Sequence, residues 1–181
     1  MPVWVSLLRG VNLGARNKVN MPRLREALTA AGFTDVHTYV QSGNVVAGSE
    51  HADPAFVVEA VRAVVAEHFD VEVPVVVRSP EQLRDIAAWC PFPEDAGTRP
   101  TQVHVIHLAA NPDPVRVAQL CAEDWAPDGL AVRGQEVVIR YAETMHTSRL
   151  QQAKVLKCLC VDGTARNWRT LTALVDRTAA R

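Results

Sequence analysis

The chain has 181 residues, 48% of them apolar and 22% charged, with a net charge of −1. That balance supplies a real hydrophobic core, excludes a disordered chain, and argues against a bulk nucleic-acid binder. The length fits one large domain or two small ones, and no solenoid-type repeat is visible.

Val3–Leu8 is short, apolar and β-branched, and reads as a buried strand. It is too short for a secretory or membrane-spanning segment and Arg9 follows it, so the expected location is the cytoplasm, with no membrane partner. A polar loop runs from Arg9 to Asn20. Pro22 then opens a helix with Leu24, Ala27, Leu28 and Ala31 on one face, and Gly32 is placed to stop it with Phe33 packing back. Asp35–Gln41 alternates as a strand, Ser42-Gly43 predicts a two-residue hairpin turn, and Asn44–Ala47 returns. Asp53-Pro54 predicts a capped helix to Phe69 that buries Val57, Val61, Val64 and Val65, and Val73–Val77 is another strand. Residues 1–78 therefore read β-α-β-β-α-β, the ferredoxin-like order.

Ser79-Pro80 with Gln82 forms a capping box for a helix to about Cys90, and Cys90–Pro100 reads as a Pro-rich linker, so residues 79–100 connect two halves. Residues 101–181 repeat the first pattern. Thr101–Ala109 is a strand, Asp113-Pro114 caps a helix to about Asp124, and Leu130–Arg133 and Val137–Tyr141 form a hairpin. Ser148–Leu159 and Arg166–Arg177 look helical, with only a weak final strand near Thr164–Arg166. The expected fold class is α+β, two ferredoxin-like halves with antiparallel sheets.

Charge is unevenly spread. Residues 1–25 carry five basic side chains and no acid, residues 133–181 carry nine bases and four acids, and the middle is acidic. Convergence of the two ends would give one positive surface; otherwise these are ordinary solvated helix faces.

A right-handed crossover makes the first two strands parallel, so their C-terminal ends share one edge of the sheet. That edge receives Arg9-Gly10-Val11-Asn12 and Gln41-Ser42-Gly43-Asn44. Arg16 and Lys18 lie in the same loop, ahead of a helix N-terminus, where backbone N–H groups favour anions. Two readings stand. Arg9, Asn12, Lys18, Gln41, Ser42 and Asn44 hold a phosphate- or carboxylate-bearing ligand, with Arg166 and Asn167 completing the site. Alternatively, Gly43 only makes a turn and the asparagines only satisfy loop backbone. The loop is not a P-loop, and no cofactor is expected.

Other chemistry is thin. Cys90, Cys121, Cys158 and Cys160 fall at no metal-ligand spacing, and His104 and His107 face opposite sides of a strand. No metal is expected. A catalytic role is undecided, with Ser42 and His146 the nearest approach to a nucleophile and base. An RNA-binding module would stack bases on Trp4, His37 and Tyr39, but Asn44–Ala47 has no aromatic. Val-rich strands with an unpaired edge also allow a homodimer.

Leu8-Arg9-Gly10-Val11-Asn12-Leu13-Gly14, Asn17-Lys18-Val19, Thr38-Tyr39-Val40-Gln41-Ser42-Gly43-Asn44-Val45-Val46 and Arg166-Asn167-Trp168-Arg169-Thr170 together resemble the bacterial domain-of-unknown-function family 1697. The resemblance implies paired ferredoxin-like units and no particular activity. Where that family usually shows a glycine-containing stretch and Ser-Lys-Leu, this chain has Glu143-Thr144-Met145-His146 and then Thr147-Ser148-Arg149-Leu150. The glycines are lost, while Ser148 keeps a hydroxyl and Arg149 a positive charge.

Overall fold

The computed structural model describes residues 1–179. The chain forms two compact units: Met1–Arg84 together with the chain from Leu174 onward, and Asp85–Ala173.

The first unit contains β1 (Val3–Leu8), α1 (Met21–Ala30), β2 (Thr34–Tyr39), β3 (Asn44–Gly48), α2 (Pro54–Phe69) and β4 (Val75–Arg78). Its sheet has the order β2-β3-β1-β4 with every neighbouring pair antiparallel. Local chemistry sets the helix limits. Asn20 caps α1 by accepting from Arg23 N–H at 2.9 Å. At the other end Gly32 (φ +94°) lets Phe33 N–H reach back to the Leu28 carbonyl at 3.1 Å and brings the Phe33 ring into the core. Asp53 caps α2 in the same way as Asn20 does α1, accepting from Ala55 N–H. Leu24 and Leu28 of α1, and Val57, Val61 and Val65 of α2, then bury against Trp4, Leu8, Val45 and Val77 of the sheet.

The second unit contains β5 (Val103–Leu108), α5 (Pro114–Ala122), β6 (Gly129–Arg133), β7 (Glu136–Arg140), α6 (Gln152–Leu159) and β8 (Gly163–Asn167). The antiparallel order is β6-β7-β5-β8, the first unit's arrangement repeated. Ile106, Leu108, Val137 and Ile139 meet Leu120 of α5 and Val155, Leu156 and Leu159 of α6. The repeat extends to single positions. Val5 pairs with Arg78 as Val105 pairs with Arg166, and Leu7 pairs with Asn44 as His107 pairs with Glu136. All eight residues are buried. Both sheets belong to the ferredoxin-like α+β class. The remaining helices are α3 (Pro80–Trp89), α4 (Pro93–Thr98) and α7 (Trp168–Ala179), and α4 falls within the segment read as a linker. Ser79 and Gln82 form the reciprocal capping box of α3, at 2.8 and 3.2 Å.

Three local expectations are corrected. The turn after β2 is not the two residues Ser42-Gly43: the last pair of the ladder is Tyr39 with Asn44, so Val40–Gly43 form a four-residue loop. Val40 turns out of the strand at φ +50°. Helix α6 starts at Gln152 rather than Ser148, because the Ser148 hydroxyl is bonded to Asp128 and to Leu150 N–H in a non-helical loop. Arg166 and Asn167 do not open the last helix but end β8. The sequence Gly163-Thr164-Ala165-Arg166-Asn167 has little strand propensity, and pairing with β5 along its whole length overrides that.

Candidate functional site

Two segments of the first unit, the loop after β1 and the turn after β2, are fastened together by a small set of bonds. Leu8 N–H donates to the Gly43 carbonyl of the turn at 2.8 Å, while Arg9 N–H anchors the loop's start to the Pro74 carbonyl just ahead of β4 at 2.9 Å. Gly43 lies at φ +78°, and a Cβ there would sit 2.7 Å from both Leu8 Cβ and Val11 Cγ2. No larger residue fits without moving the strand end.

Asn12 holds the loop to the turn. Its backbone is left-handed (φ +57°), a conformation asparagine tolerates better than most residues. Its Nδ2 donates to the carbonyls of Val19 and Gln41, each at 2.8 Å, and its Oδ1 accepts from Val19 N–H at 2.9 Å. One carboxamide thus brings positions 18–19 beside position 41. Asn17 completes the bracing, with Nδ2 donating to the Gly10 carbonyl at 3.1 Å and its own carbonyl accepting from Asn12 N–H at 2.9 Å. Leu13 and Arg16 close a tight turn between them.

Gly10, Asn12, Gly14 and Asn17 all have positive φ. Among the described residues, the N–H groups of Gly14, Ala15, Asn17 and Lys18 carry no hydrogen bond, and the Arg16, Lys18 and Gln41 side chains have no polar partner. Residues 13–18 are all exposed. The loop presents two cations and several unbonded donors to solvent.

Of the residues expected at this edge, Arg9 is half-buried at the end of β1, while Gln41 and Ser42 are exposed on the turn. Asn44 is fully buried, with Nδ2 donating to the Tyr39 carbonyl and to Ser42 Oγ, each at 3.0 Å. Asn12 and Asn44 therefore spend their hydrogen-bonding capacity on the scaffold. Arg166 and Asn167 belong to the second unit. Arg166 is buried and donates to Thr164 Oγ1 and the Ala165 carbonyl, both at 2.8 Å; burial pulls its pKa down to about 10. Asn167 accepts from Thr170 N–H at 2.9 Å, an N-cap bond for α7.

The second unit has polar features of its own. His107 Nδ1 lies 2.7 Å from Glu136 Oε2 inside the sheet, and Thr164 is the other cross-strand neighbour of His107. All three are buried and none faces solvent. A cleft of about 230 Å³ is lined by Trp125, Asp128, Glu143, Thr144 and Arg149. Its walls are pinned by side chains: Ser148 Oγ donates to Asp128 Oδ2 at 2.5 Å, and Asp128 Oδ1 accepts from Ala142 N–H at 2.8 Å. This is the stretch that lacks the expected glycines, and side-chain bonds hold it. Arg149 donates to the Asp124 carbonyl at 2.7 Å. Among the described residues no three His, Cys, Asp or Glu side chains converge to hold a metal ion.

Sequence reasoning brought the loop and turn together but missed the exposed Leu13 and Val40 beside them. Val40 falls within the segment expected as a strand, Asp35–Gln41, but its positive φ takes it out of the ladder and leaves it exposed.

No curated protein matches the chain. In fold it is similar to the conserved bacterial protein SP0830 from Streptococcus pneumoniae, at a TM-score of 0.74 and 20% identity with 97% of each chain covered. At that identity the likeness carries the fold alone. The family described as protein of unknown function (DUF1697) matches residues 1–138, a span that takes in both the braced loop and the turn, and the chain belongs to that family.

Proposed function

We propose that the first unit binds a small anionic ligand, carrying a phosphate or carboxylate, on the Arg9–Asn20 loop where Asn12 fastens it to the Val40–Gly43 turn. The observation that carries this reading is the exposed, braced loop itself: two unpaired cations, Arg16 and Lys18, beside main-chain N–H groups with no bond. Lys18 and Arg16 neutralise the anion. The Gln41 amide, the Ser42 hydroxyl and the loop N–H groups hydrogen-bond its oxygens, and Arg9 adds positive charge at the strand end. Asn12 and Asn44 act one step back, by fixing the loop and the turn.

A base-stacking surface has less support. Trp4 is buried in the core and donates to the His51 carbonyl at 3.0 Å, and the Arg177 guanidinium lies 4.7 Å over the Tyr39 ring. Two of the three aromatics that would stack bases are already engaged. The reading also places the protein in the cytoplasm, where its four cysteines, all free thiols, stay reduced. Among the described residues no helix is long and apolar enough to cross a membrane.

Thermal unfolding against phosphorylated metabolites, nucleotides and small carboxylates tests the reading. A ligand at a hundred times its Kd adds about 2.7 kcal/mol, a rise of roughly 5–10 °C for a chain of this size. A panel in which no anion raises the unfolding temperature contradicts it.

A further inference from the structure

Six large hydrophobic side chains are exposed among the described residues, and two of them, Leu13 and Val40, sit on the two segments that Asn12 joins. Leu13 is 68% exposed and Val40 51% exposed. Each is a direct sequence neighbour of one end of the Asn12–Gln41 hydrogen bond. Single exposed aliphatics are ordinary on protein surfaces. Two that flank one polar tie, beside two unpaired cations, form a mixed surface.

Val40 carries a second signal. A β-branched residue at φ +50° is a genuine conformational outlier, at a position that glycine or asparagine would occupy with less strain. The strain puts an isopropyl group into solvent, where it contributes nothing to the core. Leu13 is presented in a similar way, on the same tight turn as Arg16, so one short turn offers an aliphatic group and a guanidinium together. A ligand with only charge would leave both aliphatics wet, and one with only apolar surface would leave the cations unused.

We infer that the ligand is amphiphilic: a phosphate or carboxylate joined to an aryl or short acyl group, its anion on Arg16, Lys18 and the loop N–H groups and its apolar part on Leu13 and Val40. This rests on the anion-binding reading and deepens it. The same chemistry is offered by a free molecule and by an anionic lipid headgroup with its first acyl carbons.

The test compares inorganic phosphate, phenyl phosphate and hexanoate by NMR titration of the full chain and of a Leu13→Ser/Val40→Asn variant. Asparagine suits the left-handed backbone at position 40, so the variant keeps the fold, which its amide spectrum verifies. The expected result is about tenfold tighter binding of phenyl phosphate than of phosphate, equivalent to about 1.4 kcal/mol, with hexanoate shifting the same amides. In the variant that advantage disappears while phosphate affinity is unchanged. Equal affinity of the parent chain for the two phosphates overturns the inference and leaves the anion site standing. An advantage that survives in the variant also overturns it. If no anion binds, both readings fall. Co-sedimentation with phosphatidylglycerol vesicles separates the sources: retention by vesicles, lost in the variant, assigns the anion to a lipid, and titration without retention assigns it to a free molecule.

Discussion

Asn12 donates its side-chain N–H to the main-chain carbonyl of Gln41 at 2.8 Å, across 29 positions of sequence. The same nitrogen serves the Val19 carbonyl, and the carboxamide oxygen accepts from Val19 N–H. Asn12→Ala removes three hydrogen bonds and places alanine at a positive φ, so it should destabilise the protein by about 2–3 kcal/mol. Asn12→Gly relieves the backbone but still loses the bonds, and is expected to be the milder of the two. Urea unfolding of both variants checks the order. The reverse order would mean that the left-handed backbone at position 12 imposes no strain on alanine.

Gly43 lies where the turn passes over Leu8 and Val11. A methyl group there would overlap Leu8 Cβ, an atom too close to the backbone to swing aside. Gly43→Ala combines that overlap with a left-handed backbone and should cost about 2–4 kcal/mol. The amide spectrum should change at Leu8 and Val11 as well as at the turn. An alanine variant as stable as the parent would show that the turn does not pack as described.

His104 gives a pH dependence in the second unit. Burial lowers its pKa below the ordinary histidine value of 6.5, partly opposed by the hydrogen bond between Nε2 and the Thr101 carbonyl at 3.0 Å. Below about pH 6.5 the unfolded chain takes up a proton at this site that the folded chain resists, so stability falls as the pH drops. His104→Gln should flatten that part of the stability profile, measured by urea midpoints between about pH 5 and 7.5. An unchanged slope would assign the acid sensitivity to other groups.

Asn167 separates structural from ligand roles. Its Oδ1 caps the first turn of α7 at 2.9 Å. Asn167→Ala should therefore cost about 1 kcal/mol of stability and leave phosphate binding unchanged. A variant with normal stability and impaired binding would make Asn167 a ligand contact instead.

The sequence carried the architecture because its signals were local and consistent: Asp53-Pro54 and Asp113-Pro114 mark helix starts, Gly32 marks a stop, and the valine-rich strands separate them. What it did not carry depends on partners distant in the chain. β8 is built from Gly163, Thr164, Ala165, Arg166 and Asn167, and exists as a strand because β5 offers an unfilled edge. Val40 alternates correctly for a strand yet leaves it, since the Asn12 tie and the packing of Gly43 fix where the turn must run. The convergence of the loop and turn followed from topology alone. Which side chains stay free for a ligand did not, because that depends on how Asn12, Asn17 and Asn44 use their bonds.

The most direct test of the anion site is an amide NMR titration of the full chain with inorganic phosphate, run beside an Arg16→Ala/Lys18→Ala variant. Both substituted side chains are exposed and unpaired among the described residues, so the variant should fold normally. The expected result is saturable shifts confined to residues 10–18 and 41–43, weakened at least tenfold in the variant. Shifts scattered over the surface, or equal in the two proteins, would contradict the site.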